Sequence, residues 1–88
     1  MWAVDLNVGN GEKPVTMEDV RKAIRADLES LARMADKRNF HAVVGYVLSD
    51  TDPMTGKKVH PHAHAIVFGT PASEIAKTIK AYWFHYWS

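Results

Sequence analysis

Between Val59 and Gly69 the chain reads VHPHAHAIVFG, two residue sets that alternate and suit opposite environments. In a strand, successive side chains point to opposite faces. Pro61, Ala63, Ala65 and Val67 then form one small apolar face, fit to lie beneath a helix, and His60, His62, His64, Ile66 and Phe68 form the other. Such a strand needs helical cover on one side, which points to a layered α+β arrangement. Pro61 lacks a ladder donor, so it belongs on an edge strand or among the strand's first residues.

The rest of the chain supplies the partners. Trp2, Val4, Leu6 and Val8 alternate with Ala3, Asp5 and Asn7, the period of a half-buried strand. GNGEKP follows as a turn. Thr16 is placed to cap a helix whose first turn carries Glu18 and Asp19, where the helix dipole favours acids. Val20, Ile24, Leu28, Leu31 and Ala35 make its apolar stripe, and it closes near Lys37 and Arg38. Asp27, at the edge of that stripe, is expected to face solvent. FHAVVGYVLS reads as a second strand and DTDPMTGKK as a loop. After the histidine strand, Thr70 as N-cap and Pro71 at the first helical position open a second helix. Its stripe is Ile75, Ile79, Tyr82, Trp83 and Tyr86, with Phe84 pointing away. The order β-α-β-β-α over residues 1–88 predicts a single domain, an antiparallel sheet with helices packed on it in a ferredoxin-like way, short of that unit's last strand.

A domain of 88 residues buries only about 60–65% of its unfolded surface, so stability needs support. There are no cysteines, which excludes disulfides and thiolate metal sites and leaves non-cysteine ligands or association. A formal net charge of +1 does not announce a nucleic-acid binder, although basic residues cluster locally. No run is apolar enough to span a membrane and no signal peptide is legible, so a cytoplasmic location is expected. Five aromatics in the AYWFHYWS tail predict a self-packed last helix or burial against a second subunit. A homodimer is expected, completing the sheet through its free edge or by exchange of the last helix.

Histidines two apart on one strand face can converge on one ion at about 2.0–2.1 Å. Nearby carboxylates bias such a site toward hard ions such as Mg²⁺ or Mn²⁺. The plain alternative is a wet strand face on which histidine is one permissible polar residue. HPHAH followed by an apolar strand resembles the histidine motif of the HUH endonucleases. The preceding segment, NGEKPVTMEDVRKAIRADLESLARMADKRNFHAVVGYVLSDTD, is similar in order and spacing to that of rolling-circle plasmid and viral replication initiators, and TPASEIAKTIKAYW is more distantly similar to single-tyrosine transposases.

The resemblance implies site-specific nicking and strand transfer on single-stranded DNA, through a divalent ion and a tyrosine nucleophile. It makes His62 and His64 the metal pair, with Asp50, Asp52 or His60 as the third ligand. The nucleophile would be Tyr82 or Tyr86; neither is followed by the lysine common in the family, and aromatic packing is the rival reading for both. Lys57 and Lys58 flank the histidine strand as DNA contacts, with Arg21 and Arg25 as further candidates against plain solvation. The chain is then either a minimal nicking enzyme or part of a longer initiator. The alternative function is a catalytically inactive dimeric DNA-binding domain of the same fold.

Overall fold

Thr16 opens the long helix as its sequence predicts: Asp19 N–H donates to Thr16 Oγ1 at 3.1 Å, and Asp19 Oδ2 accepts from Thr16 N–H at 2.9 Å. This reciprocal cap satisfies two amides that a helix start leaves free, and it holds the Asp19 carboxyl below its ordinary range. A computed structural model describes residues 1–8 and 15–88; the expected GNGEKP turn lies outside them. The elements are β1 (Trp2–Asn7), α1 (Met17–Ala35), β2 (His41–Thr51), β3 (Lys58–Thr70) and α2 (Ala72–Trp87).

The sheet order is β1-β3-β2, and both ladders are antiparallel. The histidine strand is therefore central, not an edge. Pro61 is tolerated because it falls among the first residues of β3. Ladder pairing with β1 starts one residue later, at His62 opposite Asn7. Against β2 the register slips between Ser49 opposite His62 and Thr51 opposite Lys58, so no regular ladder position demands the missing donor.

Both helices cover one face of the sheet. Val4, Leu6, Ala63, Ala65 and Val67 from that face form one buried cluster with Val20, Ala23, Ile24 and Leu31 of α1 and Ile75, Ala76, Ile79 and Trp83 of α2. The alanines permit close approach of the helices, while Leu6, Ile24, Ile75 and Ile79 supply fully buried volume. Trp83 is buried, and its indole Nε1–H donates to the Asn7 carbonyl at 2.8 Å, tying α2 to the end of β1. The aromatic tail thus packs in part on its own domain, while Phe84 stands 78% exposed.

Two local expectations are corrected. Thr70 remains in the sheet opposite His41, so Pro71 becomes the N-cap of α2, with no side-chain cap bond. Asp27 does not face solvent: it is 3% exposed. With Val20, Ile24 and Leu31 it completes a four-three-four spacing on the inward stripe, which α2 closes over. The chain also needs Gly69 where β3 passes β2, since its φ is +142° and a Cβ there would run into the backbone of His41 and Ala42.

Candidate metal centre

The sheet face without helices carries the polar row. Alternation along β3 puts His62, His64, Ile66 and Phe68 on it, and cross-strand pairing sets Asn7 and Ser49 beside His62, and Asp5 and Val47 beside His64. The two imidazoles meet edge to face, with ring centroids 4.7 Å apart. For a bond of 2.0–2.1 Å the ring centre lies roughly 3.2 Å from the ion, so two cis ligands of an octahedral ion have centroids about 4.5 Å apart. The observed spacing is near that value, and the edge-to-face arrangement is equally an ordinary packing of two aromatic rings.

Each ring has one nitrogen already committed. His64 Nδ1 lies 2.7 Å from Asp5 Oδ1, and His62 Nδ1 lies 2.9 Å from the His60 carbonyl. A carboxylate and a carbonyl can only accept, so in both rings Nδ1 carries the hydrogen. The neutral ring then keeps its lone pair on Nε2, the form that ligates metal, and the Nδ1–H bond fixes ring orientation. No family model, curated protein or solved structure matches the chain. The chemistry of the site is therefore read from its own atoms.

His60, His62, His64 and Asp52 all line one open hollow of about 510 Å³, bounded also by Asn7, Thr51 and Pro53. Asp50 is not among its lining residues: it falls where the β2–β3 register slips. Asp52 serves the turn below, its Oδ1 accepting from Met54 N–H at 2.8 Å and its own N–H donating to the Lys57 carbonyl at 2.8 Å. Among the described residues, no three His, Cys, Asp or Glu side chains form a ready metal cage. The two imidazoles are the donors this face offers; ring nitrogens suit borderline ions, and a hard divalent ion would have to take its remaining positions from oxygen donors.

Tyr82 and Tyr86 belong to α2, on the covered side of the sheet. The Tyr82 hydroxyl donates to the Met34 sulfur at 3.7 Å across the helix seam, and Tyr86 is 46% exposed at the outer surface. The structure does not bring either tyrosine to the histidine pair of its own chain. Lys57 and Lys58 are exposed at the histidine end of the sheet, Lys58 directly opposite pocket-lining Thr51. Arg21 and Arg25 are exposed on α1, with the helix layer, and Arg21 is engaged by Glu18 at 2.7 Å.

Two features were missed from sequence. Asp5 buttresses His64 from 59 positions away, a pairing that only the β1–β3 register creates. Lys77 and Lys80 line a groove with Trp2 and Asp5 at the open edge of β1. Spacing within the α2 segment hinted at their shared face, but nothing local placed β1 beside it.

Proposed function

We propose that this chain is a metal-dependent domain for processing single-stranded DNA, a ferredoxin-like domain of the HUH endonuclease kind. The observation that carries the reading is the pair of Nδ1 contacts, which would leave Nε2 of His62 and His64 free to ligate an ion on the sheet face without helices. The β1-β3-β2 order, with β1 and β2 parallel on either side of β3, supports the ferredoxin-like half of it. A bound Mg²⁺ or Mn²⁺ would supply Lewis-acid polarisation of a phosphate oxygen.

The chain's own residues do the rest. Asp5 and the His60 carbonyl hold the two rings in one tautomer. His60 and Asp52 stand in the same hollow as possible further donors. Lys57 and Lys58 at one end, and Lys77 and Lys80 beyond β1, offer charge to a phosphate backbone, and Trp2, 49% exposed, offers a face for base stacking.

Nicking and strand transfer require a tyrosine activated below its ordinary pKa of about 10. With both α2 tyrosines behind the sheet, a nucleophile from α2 would reach the ion from a second copy in a homodimer, and exposed Tyr86 is better placed for this than Tyr82. The placement of the tyrosines equally favours a second reading, a metal- and DNA-binding domain without nicking activity. Incubation with a single-stranded oligonucleotide library and Mg²⁺ or Mn²⁺, followed by mass spectrometry, separates them. Nicking predicts a phosphotyrosyl adduct lost in Tyr86→Phe and in His62→Ala, with restored yield when the two variants are mixed. DNA binding with no adduct supports the second reading, and absence of both metal and DNA binding overturns the proposal.

A further inference from the structure

The sheet has an open side at β1. Its order leaves the outer edge of β1 without a neighbouring strand, and among the described residues no backbone hydrogen bond reaches residues 2–6 from that side. The connections show what the place suits. β1, α1 and β2 form a parallel unit that straddles β3. β3 and α2 start a second such unit in the opposite direction. With both helices on one face and a right-handed crossover, its closing strand belongs outside β1. A groove of about 330 Å³ marks that position, walled by residues 2–5 of β1 and by Ala76, Lys77 and Lys80 of α2. We propose that this edge takes an extended acidic segment of another protein as a fourth strand, paired to β1 with its carboxylates toward Lys77 and Lys80.

The edge is not blunted against pairing. Proline, lysine or a bulge commonly protects an exposed edge strand. β1 has none of these, and its register with β3 is unbroken from Trp2 opposite Val67 to Asn7 opposite His62. Its one charged side chain, Asp5, is engaged by His64 Nδ1 at 2.7 Å. Strand addition takes affinity from main-chain hydrogen bonds and specificity from what meets alternate side chains. Here alternate side chains of the added strand face α2, where Ala76 leaves room and the two lysines stand three residues apart on one helix face.

Charge selects the occupant. Both lysines are exposed, and no acid among the described residues pairs with them. Carboxylates on the added strand meet that charge, and a basic segment is repelled by it. A second copy is a poor occupant, because two-fold pairing of β1 with its own kind gathers four lysines at the axis. A phosphate backbone would meet the lysines but leave the amides and carbonyls of the β1 edge unpaired. Strand and DNA therefore exclude each other at this edge.

The test is ¹⁵N–¹H NMR and amide hydrogen exchange on the full chain with three synthetic peptides, alternating Thr-Glu, Thr-Lys and Pro-Glu. The Thr-Glu peptide should shift the amides of residues 3–6, Lys77 and Lys80, and slow exchange along the β1 edge by about tenfold or more. Pro-Glu has the same charge without ladder donors and should leave β1 exchange unchanged. Lys77→Ala with Lys80→Ala should weaken the Thr-Glu response by about tenfold. Lys77→Glu with Lys80→Glu should transfer it to the Thr-Lys peptide. Both pairs change exposed side chains, so the dispersed spectrum should persist. No response at β1 to Thr-Glu, or an equal one to Pro-Glu, overturns the proposal. Oligothymidylate that protects the β1 edge where Thr-Glu does not would assign it to nucleic acid, and equally overturns it. No readout involves an ion, so failure here leaves the histidine-pair reading untouched.

Discussion

Asp27 and His62 are the two polar side chains buried among the described residues, and the fold treats them in opposite ways. His62 has a backbone acceptor on Nδ1, within its own strand, and its neighbour His64 has Asp5. Asp27 has neither. An anchored imidazole keeps one of its two hydrogen bonds on burial and gains a fixed direction for its second nitrogen. An unanchored carboxylate loses its hydration and keeps its proton instead. The first arrangement fixes the direction of a ring; the second leaves a carboxyl that keeps its proton to higher pH.

The largest effect expected from this contrast is on stability. Asp27 holds its proton longer when folded, with a value of about 7 against an ordinary 3.8. Its contribution is therefore fully present below pH 3.8 and is lost as pH rises through about 7. The gap corresponds to about 4 kcal/mol. Asp27→Asn cannot ionise, so its stability should be flat over that window and exceed wild type at pH 8 by roughly 2–3 kcal/mol after the cost of a buried amide. Urea unfolding at pH 4, 6 and 8 reads both slopes. Parallel profiles for the two proteins would mean that Asp27 is hydrated in solution.

On the histidine side, His62→Ala should weaken Mn²⁺ binding by more than about 100-fold, read by calorimetry, because it removes a ligand itself. Asp5→Ala should cost roughly 10–100-fold, by releasing His64 from its orientation while leaving both ligands in place. Equal losses in the two variants would make Asp5 a ligand and break the distinction between ligand and anchor. The smallest effect belongs to Lys57→Ala and Lys58→Ala. Each should lower the salt dependence of single-strand DNA binding by about 0.7 in log–log slope, with similar losses for all sequences.

What was legible in the sequence follows the same division. Period-two alternation gave β3 and its two faces, and the three-four stripe with a threonine cap gave α1, because these signals are local. Asp5 was not legible as a partner for His64, since the contact exists only through the β1–β3 register. Asp27 was misread because stripe membership depends on what packs over it, and α2 widens the buried face of α1. Pro61 suggested an edge or a strand start; only the sheet order, with the register slip beside β2, chose between them. The resemblance already singled out His62 and His64; what the sequence did not show is that the His60 carbonyl meets His62 Nδ1 and that Asp5 meets His64 Nδ1.

The tautomer of those two rings is the most direct measure of the account. Long-range ¹⁵N–¹H NMR of the histidine rings at pH 8, before and after Mg²⁺, assigns the hydrogen in each. Nδ1–H in both His62 and His64, with Nε2 resonances that move on adding the ion, is the predicted result. Nε2–H tautomers, or ring nitrogens indifferent to Mg²⁺ and Mn²⁺ alike, would contradict it.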